Sequence, residues 1–310
     1  MSQSTRKKSK ALSPFDELFN AANDALGSVD AKIWILLDRL DVAFAESADF
    51  EANALRALFK VYLDLLTYEQ IRLKIFLRSD IWSRIVTERG FREASHITKH
   101  TTIKWDKASL MNLIVRRAIQ SQEVLQYADM SAEEALSSSM QNKFLNKLFP
   151  DQVDADTNRS KTIDWILSRI TDGSGNPAPR ELIHFLNTMR SEAMRSIELG
   201  EAQDDEATLF GRQSIKDALP EVSKVRLEQT LYAEYPELRM YIEGLEREKS
   251  TQLVQSLARI WKVDEQEAGM IAERLVEVGF FEKMGEKDSP NYRVPFLYRP
   301  ALDLVQGAAE

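Results

Sequence analysis

Ile33-Trp34-Ile35-Leu36-Leu37-Asp38-Arg39-Leu40-Asp41 joins an unbroken apolar run to two acids. Five apolar residues in a row predict a short strand buried on both faces, as in a parallel sheet covered by helices. The acid that follows, Asp38, falls at the carboxyl end of that strand, where open α/β sheets bind ligands. Further along, Ile71–Leu77 is a second apolar run, and it ends on Arg78-Ser79-Asp80. Between the two runs, Leu55, Leu58, Phe59, Tyr62, Leu65 and Leu66 fall on one face of a helix over 52–67. Strand, helix, strand implies a parallel pair that presents Asp38 and Arg78 on one edge. There a carboxylate can orient a magnesium ion through its waters, and the planar guanidinium can grip phosphate oxygens. The structural alternative is an ion pair from Arg78 to Asp38 or Asp80 that ties two strand ends together. Thr101–Trp105 predicts a weaker third strand, with Asp106 capping the helix after it.

The remainder reads as helix. Apolar stripes recur over 106–119, 132–148, 160–170 and 180–195, followed by an acidic linker from Glu198 to Glu206. The loop Asp172–Pro179 holds two glycines and two prolines. In the last sixty residues, 250–260 predicts one helix, and Asp264 caps a second that Gly279 stops. Phe280–Lys283 and Tyr292–Leu297 can then pair as a hairpin across Gly285–Pro290. Helix, helix and two-stranded wing is the order of a winged helix-turn-helix. The expected fold is therefore mainly α with a small parallel sheet.

Composition narrows the chemistry. The 310 residues contain no cysteine and three histidines, His96, His100 and His184, so disulfides, thiolate nucleophiles and Cys-based zinc sites are excluded. His96 and His100 are four apart but lack a clear third ligand nearby. Lys and Arg number 41 against 49 Asp and Glu, a formal charge of −8 that argues against bulk phosphate-backbone binding. Arg6, Lys7, Lys8 and Lys10 precede no apolar stretch, so they read as a solvated tail rather than an export signal. No apolar run approaches the length of a membrane span, and a cytoplasmic protein is expected. Trp34, Trp82, Trp105, Trp165 and Trp261 lie within apolar patterns and read as core anchors.

Taken in order, these motifs resemble the P-loop ATPases of the signal-transduction class with numerous domains (STAND), which are close to the AAA+ proteins. The likeness is nearest to a bacterial subfamily linked to stress or phage defence. Ile33–Leu37 with Asp38 matches that family's Walker B strand, with Asp41 as its frequent second acid. Phe76-Leu77-Arg78 matches the end of the sensor-1 strand, Pro179-Arg180 the opening of the lid helix, and 250–300 the winged helix. The resemblance implies a partial ATPase core at 31–120 behind a tail and lead-in helix at 1–30. A helical lid and connector at 121–249 and a winged helix at 250–310 would follow. It also implies that Asp38, Asp41 and Arg78 serve catalysis, with Asp38 on the metal, and that Arg180, presented by Pro179, reaches the nucleotide.

One departure outweighs these matches. None of the eleven glycines is followed by Lys, so the Gly-Lys-Ser/Thr that cradles phosphate is missing. ATP and Mg²⁺ are thus implied only where another segment or chain supplies that loop, and unaided hydrolysis is not expected. The expected function is a regulatory or switch module whose partner is another protein or a second copy. The alternative is a non-catalytic interaction protein or transcriptional regulator using the winged helix. Asp264–Val278, its presumed recognition helix, carries Asp264, Glu265, Glu267, Glu273 and Glu277 against Arg274 alone, a net −4. That charge disfavours entry into a polyanionic groove.

Overall fold

The computed structural model describes residues 14–40, 48–87, 91–154, 156, 159–175, 177–201, 207–286 and 289–309. The chain divides into two compact units, Met1–Ile103 and Lys104–Glu310. Helices dominate both, with one two-stranded parallel sheet in the first and a four-stranded sheet in the second.

In the first unit the order is α1 (Pro14–Ser28), β1 (Ile33–Leu37), α2 (Ala48–Leu65), β2 (Ile71–Ile75) and α3 (Ser79–Thr87). β1 and β2 pair in parallel, from Ile33 opposite Ile71 to Leu37 opposite Ile75, with α2 as the crossover. The helix that the apolar spacing predicts over 52–67 forms. Its Leu55 and Phe59 pack with Ile81, Ile85, Phe91 and Ile97 into a small core. α1 buries none of its residues; it is tied on by Asn23, whose Oδ1 accepts the Gln70 N–H at 3.0 Å, and by Phe19 against Tyr68.

Two expectations fail here. β1 forms, but it is not a buried central strand: Ile33, Trp34 and Leu36 are 46%, 63% and 59% exposed. The reason is that β1 has a single neighbouring strand. The face that includes Ile71 and Leu73 is covered, while the face of Trp34, Leu36, Arg72 and Lys74 is left partly or fully open. Thr101–Trp105 forms no strand, and Ile103 is exposed. β-branched residues favour a strand only where a ladder takes them up, and none does among the described residues.

The second unit begins with α4 (Lys107–Ala118), α5 (Gln122–Ala128), α6 (Ala132–Leu136), α7 (Gln141–Leu148), α8 (Thr162–Ile170), α9 (Pro179–Glu198) and α10 (Arg212–Arg226). Asp106 caps α4 as expected, its Oδ1 accepting the Ser109 N–H at 2.7 Å. Hydrogen bonds from Ser109 hold that carboxyl below its ordinary value. The single helix expected over 132–148 is split. Ser131 and Glu134 form a capping box on α6, and the run Ser137-Ser138-Ser139 breaks the helix before α7. Serine side chains compete for the backbone hydrogen bonds that a continuous helix needs.

After short helical turns over 227–243 come β3 (Lys249–Leu253), α11 (Val254–Trp261), α12 (Glu265–Glu277), β4 (Glu282–Glu286), β5 (Ser289–Arg293) and β6 (Val305–Ala308). The predicted helix over 250–260 therefore starts late. Its first residues are β3, antiparallel to β5 and parallel to β6, and the sheet runs β4-β5-β3-β6. Ser256 marks the change, its Oγ accepting the Leu253 N–H at 2.9 Å as α11 begins. α12 is capped by Asp264 and ends at Gly279, whose φ of 78° is the left-handed turn that glycine favours. One continuous core runs from Leu110, Phe144 and Phe185 through Ile215 to Leu275, Phe280 and Phe281.

Candidate functional site

The parallel register carries Asp38 and Arg78 to the same end of the two-stranded sheet. Leu37 lies opposite Ile75, and the Phe76 N–H donates to the Leu37 carbonyl at 2.9 Å, so the ladder continues up to Asp38. The chain then turns sharply: Arg39 takes φ 56°, and its N–H donates to Asp38 Oδ1 at 2.8 Å. Past the end of β2, the Arg78 carbonyl accepts the Trp82 N–H at 3.0 Å as α3 begins. Both Asp38 and Arg78 are exposed. Asp41 lies outside the described residues.

Pro179 and Arg180 belong to the second unit and open α9, with Pro179 in its first turn. Arg180 is exposed, whereas the next residue, Glu181, is 5% exposed. Its carboxylate accepts from Arg226 Nη1 at 2.9 Å, and Arg226 Nη2 lies 3.4 Å from Asp172 Oδ2. Burial opposes the Arg226 charge, but Tyr298, Glu181 and Asp172 outweigh it and raise its pKa above the ordinary value. Burial pushes the Tyr298 phenol itself up to about 12. Sequence reasoning missed this buried ionic cluster because its members stand 45 and 54 residues apart. Only the third dimension gathers them.

A second bridge braces the wing. Glu273 on α12 accepts from Lys283 Nζ at 2.6 Å and from the Tyr292 hydroxyl at 2.8 Å. Lys283 first, and Tyr292 with it, hold the Glu273 carboxyl below the ordinary glutamate value despite its partial burial. Glu273 is thus occupied structurally, as are Asp264 in its cap and Glu277, which accepts from Arg274 at 2.8 Å. Elsewhere Arg169 lies over the Trp165 ring at 4.0 Å and the Phe296 ring at 4.6 Å, stapling α8 to the C-terminal region. Burial pushes that guanidinium down to about 10.

Among the described residues, no cluster of three or more His, Asp or Glu side chains could hold a metal ion. His100 Nδ1 is 3.3 Å from the Ile97 carbonyl, and His96 ends a short 3₁₀ turn. Of the five tryptophans, Trp165 is buried and Trp82 and Trp261 pack against core residues, but Trp34 and Trp105 are exposed. For Trp34 the expected core anchor fails for the same reason as its strand. No helix among the described residues is long and apolar enough to cross a membrane. No family model matches the sequence, and no curated protein matches it at a significant level.

Proposed function

We propose that the chain is a regulatory switch module of the P-loop ATPase kind. Asp38 and Arg78 would form the magnesium and γ-phosphate side of a nucleotide site whose phosphate loop comes from another segment or chain. The observation that carries this reading is the parallel, in-register pairing of β1 with β2, which brings the two side chains to one sheet edge. Asp38 Oδ1 accepts the Arg39 N–H, and a carboxylate has further lone pairs with which it would orient a hydrated Mg²⁺. Arg78 would fork onto phosphate oxygens. Arg180 is a lid candidate because it is exposed at the start of α9, while Glu181 beside it fixes that helix through Arg226.

The test uses ATP carrying a photoreactive group on its γ-phosphate, with Mg²⁺. Labelling is expected to be weak and to map near residues 38 and 78, and D38N and R78A should each remove most of it. Tight binding with turnover by the chain alone would overturn the reading, as would labelling that both variants leave unchanged.

For the second unit we propose a winged helix that binds protein rather than DNA. Support comes from the order β3, α11, α12, β4, β5 and from the neighbouring of β3, β5 and β4 in the sheet. The net −4 on Asp264–Val278 disfavours a nucleic-acid groove. Fluorescence anisotropy with random-sequence duplex at low salt should therefore show no binding. A complex that weakens steeply with added salt would reverse this preference in favour of the transcriptional-regulator alternative.

A further inference from the structure

We infer that two copies of this chain associate by pairing their β1 strands antiparallel, which makes a four-stranded sheet β2-β1-β1-β2 across a two-fold axis. This goes beyond the nucleotide reading and does not depend on it. Ile33 N–H donates to the Gln70 carbonyl at 2.8 Å, and Phe76 N–H to Leu37, so residues 33, 35 and 37 direct their backbone groups to β2. The N–H and C=O of Trp34 and Leu36 therefore face the outer edge, where no described residue bonds them. A two-fold centred on Ile35 sets Trp34 opposite Leu36 of the second copy. Each such pair exchanges two backbone hydrogen bonds, and the symmetry makes two pairs. The edge is complementary to itself.

The side chains agree with the backbone. Trp34 and Leu36 share one face, are 63% and 59% exposed, and would lie against their counterparts across the axis. β1 itself is Ile-Trp-Ile-Leu-Leu, with no Lys, Pro or bulge to blunt the edge. β2 shows the contrast: a two-fold on Leu73 would set Arg72 against Lys74 of the other copy, a like-charge pair. Self-pairing is therefore favoured at β1 and opposed at β2.

Sedimentation and light scattering on the full chain should give twice the 35.5 kDa of one chain. In W34E/L36E the two introduced carboxylates oppose those of the second copy across the axis. Within their own sheet they lie beside Arg72 and Lys74, so the unit keeps its fold. That variant should weaken self-association on the order of 100-fold, with an unchanged circular dichroism spectrum. Because the chain has no cysteine, I35C can form a disulfide only with its own copy. Ile35 meets Ile35 at the non-hydrogen-bonded centre, where Cα atoms lie about 4.5 Å apart, within disulfide range. I35C should therefore oxidise to a covalent dimer. The inference is overturned by a native chain that stays monomeric up to ~100 μM. A dimer that W34E/L36E leaves intact, or one in which I35C does not cross-link, overturns it equally.

Discussion

Arg226→Ala is expected to lower the stability of the Lys104–Glu310 unit by about 3–5 kcal/mol, the cost of stranding a buried charge without its partner. Arg226 is the cation shared by Glu181 and Asp172, and the Glu181 side chain is only 6% exposed. Alanine leaves that carboxylate in the interior with nothing to balance it. Over a unit of this size the melting temperature should fall on the order of 10 °C, readable by calorimetry. Lysine at 226 should recover only part of the loss, because one ammonium cannot reach two carboxylates as the guanidinium fork does. The double variant E181M/R226M should recover more, since it removes the buried carboxylate together with its cation and leaves only Asp172, whose side chain is 18% exposed and still accepts the Ser174 N–H at 3.0 Å. A melting temperature for R226A within ~2 °C of the native value would show that the cluster does not fasten α9 to α10.

Gly173→Ala should cost about 3 kcal/mol, at the upper end of overpacking effects, because the atoms it meets are backbone and cannot swing aside. Gly173 N–H donates to the Gly279 carbonyl at 2.6 Å, so the loop after α8 lies directly against the turn that ends α12. A Cβ at 173 would collide with the Phe281 carbonyl oxygen and come within 2.7 Å of its carbon and 2.9 Å of the Gly279 oxygen. Gly175, two residues on, supplies the control. It has φ +76° but open space around a Cβ, so G175A should cost only the left-handed strain, about 1–2 kcal/mol. Chemical denaturation of both variants separates crowding from backbone strain. Equal losses would mean that the contact of the 173 loop with Phe281 is not what holds the two segments together.

Much of the local structure was legible. α2, α4, α8 and α9 follow apolar stripes at helical spacing, and Asp106 and Asp264 cap the helices that their positions imply. The hairpin after Gly279 also forms, displaced by a few residues, with β4 and β5 pairing from Glu282 opposite Arg293. Sequence pattern and structure part where a short segment can be extended or helical depending on its neighbours. Residues 250–253 became strand because β5 and β6 flank them, and Thr101–Trp105 did not because no ladder receives it. Of the candidate site, the sequence named Asp38 and Arg78, and the register of β1 on β2 brings them to a common edge. Arg180 stands out in the sequence, but its neighbour Glu181 is the residue that the interior uses.

What the sequence determined by itself is whatever depends on near neighbours: helix periodicity, caps, the apolar strands, the excluded thiol chemistry and the acidic helix. These interactions span a few residues along the chain, so their pattern is written in it. How deeply each strand is buried and which charges meet depend instead on the packing of distant elements. Burial depends on how many elements cover a face, which is why five apolar residues at 33–37 make a strand whose Trp34 stands in the open. Charge pairing depends on side chains converging from distant elements, which is how Asp172, Glu181 and Arg226 come to share one interior site.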